Sequence, residues 1–217
     1  MKTDKELGSR IHQHLIGVGV ETPMTKKILN DGVKIEKISA SVTDILMALE
    51  LDLSDDSLID TPDRVAKMFV NELYKGLDYS HFPKCTTIEN KMDAGMVIER
   101  RVKVMSSCEH HLITVSGQAT IAYIPKNRVI GLSKLNRIVD FFSRRPQVQE
   151  RLTNQIWHSL NYILGTDDIA VYIDAMHYCV KARGIQDMNS STITNRLGGS
   201  FKNDPACRME FMGIATK

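Results

Sequence analysis

The chain lacks almost everything that would commit it to a membrane, a secretory route or a nucleic acid. No apolar run approaches the ~18 residues that a spanning helix needs, so no membrane association is expected. The opening stretch "MKTDKELGSRIHQHLIGVGVETP" has no apolar h-region and carries acids early, unlike a signal or transit peptide, and a cytoplasmic protein is expected. An excess of one charge is missing too. The net charge is +2, whereas nucleic-acid surfaces show clustered base, so any anion binding should be local. The four cysteines, Cys85, Cys108, Cys179 and Cys207, are far apart in the chain. In a reducing compartment they are expected free, buried or metal-bound rather than paired. There is no internal repeat and no flexible linker. What remains is an ordinary globular composition, 42% hydrophobic and 25% charged, in 217 residues. That length suits one domain, or one domain with an appended segment.

Apolar spacing divides the chain. Residues 1–95 are expected to be a helical region. Ile38, Val42, Ile45, Leu46 and Leu49 keep helical spacing. In "DTPDRVAKMFVNELYKGLDY", Thr61 is the expected N-cap, with Pro62 at N1 and Gly76 as the stop; Val65, Met68, Phe69 and Leu73 form the buried stripe. Arg64 and Lys67 share another face of that helix.

From about Met96 the character changes. "MVIERRVKVM" and "LITVSGQATIAYIP" read as strands, with a bulge or bend at Ser116-Gly117. "SKLNRIVDFFSRR" and "QVQERLTNQIWHSLNYILG" read as helices with apolar faces at Leu135, Ile138, Val139 and Phe142, and at Val148, Leu152, Ile156, Leu160, Ile163 and Leu164. Gly165 stops the second. "IAVYIDAMHYCVKARG" reads as a long strand and "SSTITNRLGG" as a weaker one. Residues 96–217 are therefore expected to form an α+β unit, a sheet with helices on one face. Its strand edges must be paired or covered, and oligomerisation is one way to do that.

The chemistry concentrates in "SSCEHHL". Cys108 and His111 have C-x-x-H spacing, which a flat strand of period two cannot aim at one ligand but a turn can. The chain should therefore bend after a strand ending near Met105. Alternation in "DAMHYCVKARG" puts His177, Cys179 and Lys181 on one strand face, so Cys179 is the expected third ligand. Three ligands and an open position make a catalytic zinc site; four make a structural one. His110 and His177 are then free for acid and base work. Spacing equally allows a closed structural site completed by His177 or His110. Ser133, Lys134 and Arg137 open a helix and suit an anion, to which Arg183 and the Arg64/Lys67 face could add. Glu150 could accept from the paired N–H groups that guanine presents. Metal, polyanion site and base-reading carboxylate together suggest a nucleotide attacked by activated water.

The chain resembles the GTP cyclohydrolase I family through "DTPDRVAKM", "GLDY", "IENKM", "SSCEHHL", "AYIPKNRVIGLSKLNRIV", "RPQVQERLT", "IAVYIDAMHYCVKARG" and "LGG", from about Asp52 onward. The resemblance implies a tunnelling-type fold: a four-stranded antiparallel sheet with two helices on one face, preceded by an N-terminal helical region. Five sheets would close into a barrel, and two pentamers would form a homodecamer with active sites between subunits. It implies Zn²⁺ on Cys108, His111 and Cys179, and proton transfer by His110 and His177. Glu150 is implied as guanine anchor with Gln149 in the same segment, and Arg64, Lys134, Arg137 and Arg183 as triphosphate contacts joined by Ser133 and Lys67. The implied reaction is GTP and water to formate and 7,8-dihydroneopterin triphosphate, feeding tetrahydrofolate or tetrahydrobiopterin routes.

Three other readings compete. A zinc deaminase would carry H-x-E and P-C-x-x-C, and neither occurs. A nitrile-reducing relative of the fold should lack the three-ligand set. A zinc-stabilised interaction module would not turn over GTP. The first ~30 residues match the family poorly, and Cys85 and Cys207 match no functional position.

Overall fold

The computed structural model describes residues 2–25 and 29–217. Three helices lead, α1 (Lys5–Gly17), α2 (Asp31–Ala48) and α3 (Thr61–Met68). A two-stranded ribbon pairs β1 (Thr87–Glu89) with β4 (Arg128–Ile130). The main sheet holds β2 (Val97–Cys108), β3 (Thr114–Tyr123), β6 (Ile169–His177) and β7 (Thr192–Leu197), antiparallel in that spatial order. A fifth, two-residue strand, β5 (Pro146–Gln147), lies parallel to the end of β2, so the expected four strands gain a short neighbour. Between them run α4 (Leu132–Ser143) and α5 (Gln149–Leu164). After β6 come one helical turn, α6 (Tyr178–Lys181), and two C-terminal helices, α7 (Gly199–Asn203) and α8 (Pro205–Ala215), that the sequence reading did not anticipate.

Strand alternation separates two apolar clusters. Ile169, Val171 and Ile173 of β6 face the main core with Leu135, Ile138, Val139 and Phe142 of α4 and Leu152, Ile156 and Leu160 of α5. Ala170 and Tyr172 face the other way and meet Phe201 and Phe211 of the C-terminal helices. Each fully buried side chain of this size stabilises by about 1.5–3 kcal/mol. α1 joins the main core through Ile11 and Leu15. Gly165 ends α5 in the left-handed conformation, φ 64°, as its position suggested.

Several expected details differ. The N-cap of α3 is Asp60, and Thr61 is already helical. Its buried residues are Pro62 and Ala66, while Val65, Met68, Phe69 and Leu73 are only half-buried. The helix widens into a π-type turn over Phe69–Leu73, and Gly76 sits in a following 3₁₀ turn rather than at a left-handed stop. Gly76 is needed for close approach: a Cβ there would collide with the carbonyls of Phe141 and Arg144. The bulge falls between Glu99 and Val102, where Arg101 has φ 55°, and not at Ser116-Gly117, which pairs in register. β2 continues past Met105 to Cys108, and β6 stops at His177 instead of running on through Lys181.

One buried charge organises the join between these parts. Arg145 is 0% exposed, pairs with Glu21 at 3.1 Å, and lies 4.9–5.2 Å from the ring centres of Phe142, Phe141 and Tyr79. Its carbonyl accepts from Ser106 Oγ at 3.3 Å, so β5 is held beside the end of β2 from both its backbone and its side chain.

Candidate active site

The convergence begins with backbone geometry. β2 delivers Cys108 at its last position, and the chain folds back at once: Cys108 N–H donates to Ile113 O, and Leu112 N–H to Cys108 O, both at 2.8 Å. Leu112 takes φ 55° to make that turn. β3 starts at Thr114, and its Val115 lies opposite His177 at the end of β6. The two strand ends are therefore neighbours in the sheet, and α6 curls from β6 toward the turn. Cys108, His111 and Cys179 consequently bring one ligand atom each to within 4.8 Å of one another. The expected alternation across Cys179 and Lys181 was the wrong reason for a meeting that the helical turn achieves. Lys181, buried, instead donates to Met188 O and to Met176 Sδ at 3.2 Å.

The donor set fits a zinc ion. Two thiols and an imidazole are the ligands zinc favours, and three of them leave a fourth position. Burial and the adjacent Cys108 thiol push the Cys179 thiol above its usual range, a cost that a bound cation would offset. His110 stands beside the group, its Nδ1 3.8 Å from Cys108 Sγ, and His111 Nδ1 is 3.9 Å from the same sulfur. Arg183 Nη1 lies 2.8 Å from His111 Nε2.

The first turn of α5 forms the facing wall. Gln149 is buried, and its amide nitrogen donates to Ile173 O (3.2 Å), Thr192 O (2.8 Å) and Thr194 Oγ1 (3.1 Å). Its oxygen is 2.8 Å from His177 Nε2. Burial pushes His177 below the usual imidazole range, and the Glu150 carboxylate opposes that shift. Glu150 itself is exposed. Arg151 reaches back to Glu109, with Nη1–Oε2 and Nη2–Oε1 separations of 2.5 and 3.4 Å.

Apart from Arg183, the cationic residues expected to hold an anion fall into two groups. Lys134 and Arg137 are half-buried on α4 behind the exposed Ser133, and both lie near Cys85. Burial nevertheless pushes the Cys85 thiol up to about 12 against their pull. Arg64 and Lys67 are exposed on α3 and engaged with Asp60 (3.0 Å) and Asp63 (2.6 Å). No ion pair found among the described residues carries either of them to the metal turn. Cys207 packs in the second apolar cluster. Sequence reasoning missed Arg151 as the partner of Glu109, and Thr194 as a support for Gln149. Both partnerships span about forty residues, so the only signals were the acid inside "CEHH" and the base beside Glu150.

Comparison with known proteins covers most of this architecture. The profile described as GTP cyclohydrolase I matches residues 38–216. "GTP cyclohydrolase 1" of Edwardsiella ictaluri is 55% identical over 203 residues, 93% of this chain and 92% of its own. The protein of the same name from Erwinia tasmaniensis is 53% identical over 215 residues, 98% of this chain and 97% of its own. Among solved structures, the archaeosine synthase QueF-Like in the apo form is similar over 49% of this chain and 95% of its own, at 15% identity and a TM-score of 0.39. The chain belongs to the GTP cyclohydrolase I family.

Proposed function

We propose that this member of the GTP cyclohydrolase I family is a zinc-dependent enzyme that converts GTP and water to 7,8-dihydroneopterin triphosphate and formate. The observation that carries the reading is the convergence of Cys108, His111 and Cys179, with His110 against Cys108 and His177 two residues before Cys179, neither needed as a ligand. Bound to the three, zinc would supply a Lewis acid and lower the pKa of a water to about 7. His110 donates a proton to N7 of the purine, which makes C8 electrophilic toward water. Ring opening leaves C8 as a formamide, and a second water cleaves its remaining C–N bond to release formate. His177 moves protons in the following Amadori-type rearrangement of the ribose, which condenses with loss of one water to close the pterin ring.

The remaining residues hold the substrate. Glu150, exposed at the start of α5, accepts from the paired N–H groups of guanine, and Gln149 shapes the same pocket. Ser133, Lys134, Arg137 and Arg183 hold the triphosphate. Arg64 and Lys67, on α3, contribute by exchanging their Asp60 and Asp63 partners for phosphate, within the chain or from a neighbouring subunit. Two features support self-association, for which the family resemblance suggests two pentamers: among the described residues β7 lies at the edge of the sheet, and β2 pairs on its outer side only with the two-residue β5. Closing these edges between copies gives the barrel of a tunnelling-type fold. No described helix is long and apolar enough to cross a membrane, which is compatible with a cytoplasmic enzyme in pterin and folate synthesis.

The test is incubation with GTP, with and without a zinc chelator, measuring formate and the pterin product. Both should appear, and both should vanish with the chelator. A zinc-loaded protein that leaves GTP intact would sink the reading in favour of a structural site.

A further inference from the structure

Glu109 stands between two of the metal-site residues in the chain, inside a loop closed by the Cys108 N–H to Ile113 O bond. A carboxylate in that place is itself a candidate zinc ligand by chemistry, since zinc takes Asp and Glu oxygens as well as thiolate and imidazole. Yet its oxygens are not part of the converging group, which comprises Cys108, His111 and Cys179. Both oxygens are engaged by Arg151, at 2.5 and 3.4 Å. The two side chains are 27% and 19% exposed, sheltered enough for the pair to persist. The backbone adds to the hold: Glu109 N–H donates to Gln147 O at 3.0 Å, in the strand that leads into α5.

We propose that Arg151 is a positioning residue that withholds Glu109 from the metal, so that the turn offers three ligands and the fourth position stays open to water or substrate. The inference rests on the zinc reading above. It also explains how an acid can sit within "CEHH" without closing the site. Arginine suits the task better than lysine, because its planar fork engages both oxygens at once.

The experiment uses the full-length protein loaded with cobalt(II) in place of zinc, and follows its visible absorption as azide is added. In the wild type azide should enter the open position and shift the spectrum. In Arg151→Met the released Glu109 should occupy that position, and azide affinity should fall at least about tenfold, the scale on which residues behind metal ligands act. Steady-state turnover of the zinc form should show the loss in kcat more than in KM. Adding Glu109→Gln to R151M should restore azide binding, which a merely structural role for Arg151 would not. Arg151→Lys, retaining the charge and one bond, should show a smaller loss, likewise reversed by E109Q. Unchanged azide affinity in both variants overturns the proposal, as does loss of cobalt in R151M or failure of E109Q to rescue. A wild type that binds no metal or leaves GTP intact would instead strike the functional reading beneath it.

Discussion

The α4–α5 pair and the α2–α3 hairpin carry the same kind of apolar stripe and meet opposite fates. Leu135, Ile138, Val139, Phe142, Ile156 and Leu160 are 0% exposed against the sheet. On α2, Ile38, Val42 and Leu46 are only half-buried, and Ile45 and Leu49 are 57% and 65% exposed. Spacing thus determines that a helix has a sticky side, but not whether its own chain supplies the surface that covers it. The core behind the metal turn is packed within one chain, although the edges of its sheet are not. Among the described residues the hairpin's stripe is covered far less, which makes it the place to test the self-association proposed above.

The sharpest way to break the comparison is at the metal turn. Cys108→Ala should abolish both zinc binding and formate release, read by metal analysis and product assay, while the apolar core behind it keeps the circular dichroism of the wild type. Ile156→Ala attacks the core itself. At 0% exposure it should lower the unfolding free energy by about 2–5 kcal/mol, seen as a reduced urea midpoint.

A subtler test lies on the side of α5 that meets α1. His158 packs against Trp157 and His14 and is pushed from 6.5 to about 4, first by burial and then by the charges of Arg196 and His14. Between those values the unfolded chain holds a proton that the folded chain refuses, so stability is lost as pH falls from 6.5 toward 4. His158→Gln should flatten that slope, and melting curves at pH 4.5 and 7 would reveal an unchanged slope if the account is wrong. The smallest effect on folding is expected in the hairpin. Ile45→Ser should change the unfolding free energy of the dilute, dissociated chain by no more than about 0.5 kcal/mol. It should nevertheless reduce the assembled fraction seen by light scattering; an unaltered mass distribution would show that this face is not an interface.

What was legible in the sequence follows the same division. The stripes of α4 and α5, the stop at Gly165 and the meeting of Cys108, His111 and Cys179 could be read because each depends on local periodicity or on chemically distinctive residues. The end of β6 could not, since strand alternation in "HYCVK" looks intact until the chain coils at Tyr178. The C-terminal helices had a usable signal in Asp204-Pro205, where the carboxylate caps Ala206 N–H at 2.9 Å, but their short and weakly patterned sequence obscured it. The Glu109–Arg151 pair was beyond reach for a different reason: only the fold brings the two residues together.

The Gln149 amide also acts on its neighbour, His177. Its nitrogen is committed to three oxygens on two strands, so the group cannot turn end over end without leaving donors and acceptors facing their own kind. The oxygen therefore always looks at His177, and a neutral imidazole there must carry its hydrogen on Nε2. The ring is left with one free lone pair, on Nδ1. A carboxamide has chosen the tautomer of a histidine, and with it the only nitrogen through which that ring can take up a proton.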